Sequence, residues 1–353
     1  MDNSNNVGKW EKRWHPLREE WVVYAAHRNN RPWSFDIDSK IHNHTSEYDE
    51  KCYLCAGNER VGGTRNPKYE DVFIFENDHP VVSFNSPEIT GENRYTHGGL
   101  YHKEKAQGIA KVICYDPRHN VTLSDVTLDK VYKVFQAWRG QMQELSKNQK
   151  IKYVLIFENK GQEVGVSNPH PHCQIYATDF TFNLVEREIK AAYEYKKDKG
   201  RNIFHDIIQA ELKDEVRIIA ENKNAVAFIP FFARYAYEVM IFPKKKHATL
   251  ASMSDEELHD YAAVFQEVTR RFDTNFQTNF PYVMAFHQAP INGADFPDYH
   301  LHMLIQPPLR QPGLVKYLAG PEIGAGNFMA DTMPEDKAQE LKKVTITQFQ
   351  EAI

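Results

Sequence analysis

Two stretches of the chain, one in each half, place apolar residues at the three-to-four-residue spacing of an amphipathic helix. The first stripe consists of Val131, Val134, Phe135, Trp138, Met142 and Leu145. The second stripe consists of Leu258, Tyr261, Ala262, Phe265, Val268 and Phe272. Ser254 and Glu257 precede the second stripe at the spacing of a capping box. We therefore predict two helices that each bury one face.

The same order of features surrounds both predicted helices. Each helix leads to a predicted strand, at residues 151–157 or 281–287, and each strand leads to two histidines that are two residues apart. A repeat of this length rarely arises by chance, although two unrelated helix–strand pairs would give a similar pattern. The chain is therefore predicted to be an α+β protein built from a duplicated unit.

The boundary between the two units is expected in the charged helical stretch from Asn183 to Gly200. This division gives an N-terminal catalytic unit at residues 1–195 and a degenerate C-terminal unit at residues 196–353. The sequence leaves open whether the two units share one sheet.

Composition excludes several classes of protein. The 353 residues are 41% hydrophobic and 26% charged, with a net charge of −5, which is typical of a globular protein. No run of like charge is longer than the three residues Lys244–Lys246, so no nucleic-acid partner is expected. The chain shows no signal peptide and no apolar run of membrane-spanning length, and four cysteines do not form a secreted disulfide framework. We expect a cytoplasmic protein without a membrane partner.

The segment from Ser167 to Tyr176 carries the strongest sign of chemistry. From His172 onward, residues alternate as in a strand, so that His172, Gln174 and Tyr176 share one face. A neutral imidazole nitrogen is a competent nucleophile toward phosphorus, provided that the other ring nitrogen holds its proton on a fixed acceptor. A structural histidine is the alternative, but a His-Pro-His-x-Gln run after an Asn-containing loop is more specific than a lone histidine.

Cys52 and Cys55 form a C-x-x-C pair that suits zinc, since both thiolates can reach one tetrahedral ion. No second C-x-x-C exists in the sequence, so the remaining ligands would be histidines. A redox pair or two core thiols are the alternatives.

Together these features resemble the galactose-1-phosphate uridylyltransferase family of the histidine-triad superfamily. The resemblance runs from Trp21 to about Glu322 and rests on the motifs Cys52–Asn58, Phe157–Gly161, Ser167–Gln174 and His300-Leu301-His302 before Gln306-Pro307-Pro308. It implies a duplicated unit with an antiparallel half-barrel sheet and packing helices, and a homodimer with shared active sites.

The resemblance also assigns residues to roles. It makes His172 the nucleophile and Gln174 a donor to the phosphoryl oxygens, where nucleotide hydrolases of the superfamily carry a third histidine. The residues placed around the substrates are Arg28, Arg31, Tyr53, Val61, Asn77, Asp78, Asn159, Ser167, Gln174, Lys316, Tyr317 and Glu322. The implied zinc ligands are Cys52, Cys55, His119 and His170. A second cluster of Glu188, His287, His300 and His302 would hold iron or zinc, and paired core histidines are the alternative reading there.

One stretch departs from the family pattern. Pro321 stands where tyrosine is common, and the glycine-rich segment Gly324–Phe328 stands where a sugar-binding glutamine is expected. The departure concerns which sugar is bound rather than the transfer chemistry.

The expected activity is therefore a UDP-glucose–hexose-1-phosphate uridylyltransferase of galactose metabolism, working by double displacement through uridylyl-His172. The alternative enzyme is a related nucleotidyltransferase or phosphorylase that acts on ADP-sugars. A non-catalytic nucleotide-binding module is a third reading, which loss of His172 or of the Asn-containing loop would favour, and neither is lost.

Overall fold

The computed structural model of the chain describes residues 10–26, 46–89, 95–96 and 100–346. Arg28 and Arg31 lie outside the described residues. In chain order the strands are β1 (Trp10–His15), β2 (Glu20–Ala25), β3 (Phe73–Glu76), β4 (Tyr95–Thr96), β5 (Tyr101–His102), β6 (Gly108–Cys114), β7 (Tyr153–Lys160), β8 (His172–Thr178), β9 (Ile218–Glu221), β10 (Ala225–Phe228), β11 (Val239–Pro243), β12 (Tyr282–His287), β13 (His302–Gln306), β14 (Leu309–Gln311), β15 (Leu314–Val315) and β16 (Met329–Ala330). The α-helices are α1 (Leu128–Leu145), α2 (Asn183–Lys199), α3 (Ile203–Asp214), α4 (Asp255–Phe276) and α5 (Pro334–Lys342).

Nine strands form one antiparallel sheet in the order β3-β6-β8-β7-β12-β13-β11-β10-β9. The succession β6-α1-β7-β8 in the first half is matched by β11-α4-β12-β13 in the second, and each set occupies the mirrored position in the sheet. The two halves meet where β7 pairs with β12, with Lys160 opposite Tyr282 and Phe157 opposite Ala285. The predicted duplicated α+β unit is thus confirmed, and both copies share one continuous sheet. Among the described strands the edges β3 and β9 do not pair, so the sheet does not close into a barrel.

Helices α1 and α4 pack side by side on one face of this sheet. Every apolar residue of the two predicted stripes is buried. Phe135 of α1 meets Tyr261 and Phe265 of α4 at ring-centroid distances of 5.9 and 5.6 Å. The capping box of Ser254 and Glu257 is present at the start of α4. Burial of these aromatic rings is the main source of stability for this layer.

Helices cover the opposite face of the sheet unevenly. The candidate site lies on the less covered part. Phe204 and Ile208 of α3 and Val185 of α2 pack on the strands of the second half, with Phe228 and Phe242 beneath them. Of the β8 side chains that face away from α1, those of His172, Gln174 and Tyr176 are only half-buried. Side chains on this part of the sheet can therefore reach a ligand.

The helix α2 confirms the charged helical stretch predicted after the first unit. The division into units at residues 195 and 196 remains a prediction. A separate three-stranded sheet, in the order β1-β2-β16, lies outside the main sheet, and Arg13 anchors it through hydrogen bonds from Nη1 and Nη2 to the carboxylate of Glu335 at 2.8 and 3.1 Å. None of the helices in the described part of the chain is both long and apolar enough to span a membrane.

One carboxyl group is buried inside the junction of the two halves. Glu158 of β7 is 6% exposed and accepts a hydrogen bond of 3.2 Å from the hydroxyl of Tyr282 on β12. Burial raises the pKa of Glu158 to about 7, although Lys160 and Tyr282 act in the opposite direction. Folding therefore favours the protonated form of this group.

We predict that Glu158→Gln stabilises the protein at about pH 8 and has little effect at about pH 5. Because the pKa of Glu158 is higher in the folded protein, the wild type loses stability as the pH rises from the unfolded value of 4.5 to about 7. The gain at high pH should be about 1–3 kcal/mol, since glutamine stays neutral and can still accept the hydrogen bond. Urea denaturation at both pH values measures it, and the exposed Glu163→Gln is the control. A gain of equal size at both pH values would contradict this assignment.

Candidate active site and metal centres

His172 is the first residue of β8, and a hydrogen bond fixes the tautomer of its ring. Its Nδ1 lies 2.7 Å from the backbone oxygen of His170, and because a carbonyl only accepts, Nδ1–H is the donor. The lone pair is therefore on Nε2. Burial lowers the pKa of His172, partly offset by the carbonyl of His170, so the ring is neutral at neutral pH. A neutral ring with a free Nε2 is what a nucleophilic histidine requires.

The backbone around the two histidines is fixed by its own hydrogen bonds. The side-chain oxygen of Asn168 accepts from the backbone nitrogen of His170 at 3.0 Å, and its Nδ2 donates to Sγ of Cys52 at 3.4 Å. The backbone nitrogen of Tyr115 donates to the oxygen of Pro171 at 2.9 Å. The carbonyl that orients His172 is thus held between β6 and the Cys52 loop.

Gln174 points to the same side of β8 as His172, as the alternation predicted. Its Oε1 accepts hydrogen bonds of 3.3 Å from both Nδ2 of Asn77 and the hydroxyl of Tyr176. Because Oε1 accepts these two hydrogen bonds, the amide nitrogen of Gln174 points away from Asn77 and Tyr176. The two N–H groups of Gln174 are therefore available to a ligand beside Nε2 of His172.

Other residues implied by the resemblance surround this region. Asn159 of β7 lies two residues from Phe157, whose ring contacts Tyr176 at 4.8 Å, so Asn159 faces the same side of the sheet. Tyr53 and Val61 are 44% and 56% exposed, and Ser167 is also exposed.

Asp78 brings in a residue that the sequence did not single out. Its Oδ2 lies 3.6 Å from Nε of Arg60, whose guanidinium stacks 3.9 Å above the ring centroid of Phe75. Nε and Nη1 of Arg60 are buried and form no hydrogen bond with any described residue. A lone arginine in a loop carries no periodic signal, so only the fold reveals this cation beside the predicted nucleotide residues.

The first cluster brings together all four implied zinc ligands. The ligand atoms of Cys52, Cys55, His119 and His170 lie within 4.8 Å of one another, and all four residues are buried. Sγ of Cys55 is 3.6 Å from Nδ1 of both His119 and His170. Two sulfur and two nitrogen donors in this arrangement fit a tetrahedral zinc ion. Burial raises the pKa of Cys55 to about 12, so a cation there is needed to hold the thiolate form.

Tyr69 sets the tautomer of one of these ligands. Its hydroxyl donates to the backbone oxygen of Leu54 at 2.6 Å, and Nε2 of His170 is 2.9 Å from the same hydroxyl. Because the hydroxyl proton is already used, Nε2–H of His170 is the donor and Nδ1 keeps its lone pair toward Cys55. Burial lowers the pKa of His170 to about 3, which keeps the ring neutral as a metal ligand must be.

The second cluster contains three of the four implied ligands. Ligand atoms of Glu188, His287 and His302 lie within 4.8 Å of one another, all buried. Nδ1 of His287 is 2.8 Å from Oε1 of Glu188, and the hydroxyl of Tyr299 donates to Oε2 at 2.6 Å. Burial opposes the charged carboxylate, but His287 and His302 hold the pKa of Glu188 well below its ordinary value. Two imidazoles and a carboxylate suit iron or zinc.

His300 does not join that group, although it shares a strand face with His302. Its ring is 2% exposed and packs edge-on against Phe242 and Phe204 at 5.6 and 6.4 Å. Neither ring nitrogen forms a hydrogen bond with any described residue. Its backbone oxygen instead accepts from Nδ1 of His302 at 3.1 Å, which leaves Nε2 of His302 directed toward Glu188.

The residues implied for the sugar phosphate lie near the three-stranded sheet. Nζ of Lys316 is 3.0 Å from Oε1 of Glu322 and bonds the backbone oxygen of Met329, while Tyr317 is 68% exposed. Asn327 donates to the backbone oxygen of Trp21 at 3.3 Å. None of the hydrogen bonds or ion pairs that these residues form within the described chain reaches His172.

The fold and the site define a chain of two histidine-triad-like units with one candidate nucleophile. Sequence models named galactose-1-phosphate uridyl transferase match it at residues 2–181 for the N-terminal domain and 188–352 for the C-terminal domain. The chain belongs to this family.

Similar proteins extend over almost the whole chain. The galactose-1-phosphate uridylyltransferase of Haemophilus influenzae is 34% identical over 96% of both chains. That of Thermotoga maritima is 33% identical over 95% of this chain and 99% of its own. A solved uridylyltransferase structure, 32% identical, aligns with a TM-score of 0.76 over 94% of this chain and 97% of its own. An ADP-glucose phosphorylase of Arabidopsis thaliana reaches a TM-score of 0.76 at 22% identity, over 96% of this chain and 100% of its own, which shows a shared fold only.

We predict that Tyr69→Phe lowers zinc affinity by about tenfold or more, since the hydroxyl orients the Nδ1 lone pair of His170. A competition titration with a chromophoric chelator measures this change. Tyr193→Phe, an exposed tyrosine on α2, is the matched control. Equal zinc affinity in both variants would show that Tyr69 does not set the ligand geometry.

Proposed function

We propose that the protein is a hexose-1-phosphate uridylyltransferase that moves UMP from UDP-glucose to galactose 1-phosphate through a covalent intermediate on His172. The observation that carries this proposal is the Nδ1–H bond from His172 to the carbonyl of His170, which leaves Nε2 free beside the donors of Gln174. Family membership and relatives named galactose-1-phosphate uridylyltransferase support the substrate class.

In the first step, the Nε2 lone pair of His172 attacks the α-phosphorus of UDP-glucose. The N–P bond forms, the bond from that phosphorus to the bridging oxygen breaks, and glucose 1-phosphate leaves with the electron pair. The uridylylated ring is cationic while Nδ1 keeps its proton, and the carbonyl of His170 stabilises this charge. In the second step, a phosphate oxygen of galactose 1-phosphate attacks the same phosphorus, and the electron pair of the N–P bond returns to Nε2.

Gln174 would stabilise the charge that builds on the phosphoryl oxygens in both steps. Its amide N–H groups are preoriented because Asn77 and Tyr176 hold its oxygen, so little reorganisation accompanies the reaction. An amide cannot take a proton from an attacking water as a histidine can, which disfavours hydrolysis of the intermediate. Asn77, Asp78, Asn159 and Ser167, with Tyr53 and Val61 toward the base, are the proposed contacts of the nucleotide.

The first metal cluster would organise the nucleophile. A bound zinc would neutralise the thiolates of Cys52 and Cys55 and fix the ring of His170, whose own carbonyl orients His172. The second cluster, held by Glu188, His287 and His302, would carry iron or zinc in a structural role at the junction of the two units.

We also propose a homodimer with shared sites in the cytoplasm, with the chain divided at residues 195 and 196. The supporting observation is that Lys316 and Glu322 bond to each other and to the β16 region rather than to the surroundings of His172. In a dimer, Lys316, Tyr317 and Glu322, and the arginines at 28 and 31, would serve the site of the partner subunit. The alternative substrate class is ADP-sugars, and the two classes differ only in the base that Tyr53 and Val61 would contact.

We predict that mixing the protein with UDP-glucose alone adds one UMP, seen by intact-protein mass spectrometry, and that His172→Gly abolishes the adduct. Transfer activity in the variant should fall by roughly 10⁴-fold or more. ADP-glucose is the parallel reagent: an adduct with it alone would move the assignment to the ADP-sugar class. No adduct with either nucleotide sugar would refute the covalent mechanism.

We predict that Gln174→Ala slows formation of the UMP adduct by about 10²–10³-fold, because the oriented donors act mainly in the transition state. Tyr176→Phe is the graded control, since it removes one of the two bonds to Oε1 and should cost less than tenfold. Single-turnover measurement of the adduct gives both rates. A larger loss in Tyr176→Phe than in Gln174→Ala would overturn the role given to Gln174.

A further inference from the structure

A loop at the edge of the candidate site carries an arginine that no step of the proposed reaction uses. The loop is closed by an antiparallel bridge between Glu59 and Arg65, and its tip is exposed. The backbone of Arg60 donates to the oxygen of Thr64 at 2.7 Å and accepts from the nitrogen of Gly63 at 3.2 Å. These backbone bonds hold the loop without the help of the Arg60 side chain, which is therefore free to serve another purpose.

The side chain of Arg60 lies on the face of the sheet that carries the candidate nucleophile. Its Cζ is 3.9 Å above the ring centroid of Phe75. Phe75 of β3 is opposite Val112 of β6, which is opposite Gln174 of β8, and residues directly opposite one another share a face of a sheet. His172 lies two residues before Gln174 and is on that face as well. Arg60 is thus on the same side of the sheet as the candidate site.

Two consecutive residues connect Arg60 to the surroundings of the nucleophile. Nδ2 of Asn77 donates to Oε1 of Gln174 at 3.3 Å, and Oδ1 of Asn77 accepts from the backbone nitrogen of His79 at 2.8 Å. Both ends of the Asn77 amide are therefore engaged. Asp78 follows in the chain, and its Oδ2 lies 3.6 Å from Nε of Arg60. The contacts run outward from β8 through Asn77 and Asp78 to the guanidinium.

The exposure of the two charged partners decides which of them meets a ligand. The side chain of Asp78 is 24% exposed, whereas that of Arg60 is 11% exposed. Nε and Nη1 of Arg60 are buried and form no hydrogen bond with any described residue. A ligand can therefore reach the carboxylate, and the guanidinium supports the carboxylate from the protein side.

A carboxylate beside a nucleotide needs such a support. It repels the phosphates, although it accepts hydrogen bonds from the O–H and N–H groups of the nucleoside. A cation on the side away from the ligand offsets this repulsion and limits the directions in which the carboxylate can point. The ring of Phe75 in turn holds the plane of the guanidinium in place.

We propose that Arg60 is a positioning residue for the nucleoside part of the substrate. It orients the carboxylate of Asp78, which accepts hydrogen bonds from the nucleoside, and it does not itself bind the phosphates. This inference rests on the proposed function, because that function supplies the nucleotide.

Calorimetric titration of the full-length protein with UMP and with uridine tests this role. Arg60→Met should raise the Kd of both compounds by the same factor, about tenfold or more, because the part of the ligand that they share is affected. Arg65→Met is the matched control, since it makes the same substitution in the same loop at a side chain that is 74% exposed, and it should leave both values unchanged. A rise for UMP without one for uridine would show that the guanidinium binds the phosphate, and would overturn the proposal.

A double-mutant cycle distinguishes an action through Asp78 from a general disturbance of the loop. When Asp78→Asn is already present, Arg60→Met should raise the Kd of UMP by less than about threefold, because the charged carboxylate that it orients is gone. Arg60→Lys, which keeps the charge without the planar fork, should fall between wild type and Arg60→Met. A full tenfold loss in the Asp78→Asn background would contradict the proposed route through Asp78.

The rate of UMP adduct formation separates positioning from catalysis. In Arg60→Met the half-saturating concentration of UDP-glucose should rise by about tenfold, while the maximal rate changes by less than about threefold, because Arg60 touches no reacting atom. An equal fall in both affinity and maximal rate would refute the positioning role. A wild type that neither binds UMP nor forms the adduct would refute the proposed function itself, whereas equal UMP affinity in wild type and Arg60→Met would refute this inference alone.

Discussion

The chemistry proposed for this protein depends on one hydrogen bond, from Nδ1 of His172 to the backbone oxygen of His170. A neutral imidazole has one proton for two nitrogens, so the acceptor decides which nitrogen keeps the lone pair. The acceptor is held in turn by Asn168 and by the pairing of β6 with β8, and the ring of the same residue faces the cysteines. The orientation of the candidate nucleophile, the geometry of the cysteine–histidine cluster and the position of β8 therefore depend on one another.

The second half of the chain contains an equivalent hydrogen bond between two histidines in a different setting. Nδ1 of His302 bonds the backbone oxygen of His300 at 3.1 Å, as His172 bonds that of His170 at 2.7 Å. In the first unit the released Nε2 belongs to a ring on β8 that is only half-buried, whereas α2 and α3 pack on the strands of the second half. In the second unit these helices bury the equivalent nitrogen beside Glu188. The same local geometry thus orients the candidate nucleophile in the first unit and a residue of the candidate metal cluster in the second.

Sequence alone predicted those parts of the protein that depend on local pattern. The stripes of α1 and α4 and the alternation of β8 follow from helical and strand periods, and the C-x-x-C pair indicated a cation site. The contacts of Tyr69 and Arg60 could not be predicted, because each residue lies in a loop and contacts residues distant in the chain. The pair at 300 and 302 shows the limit most clearly. The alternation predicts a shared strand face, whereas β13 begins only at His302, and His302 but not His300 groups with Glu188 and His287.

The pairing of β7 with β12 bears on the evolutionary origin of the duplicated chain. Either half alone would end in a long, unpaired central strand, which is prone to pair with any similar edge. A single ancestral unit could satisfy that edge by pairing with its own copy across a twofold axis. Fusion of two copies into one gene would then release one of them from the need to keep its nucleophile, so that it could diverge into a scaffold.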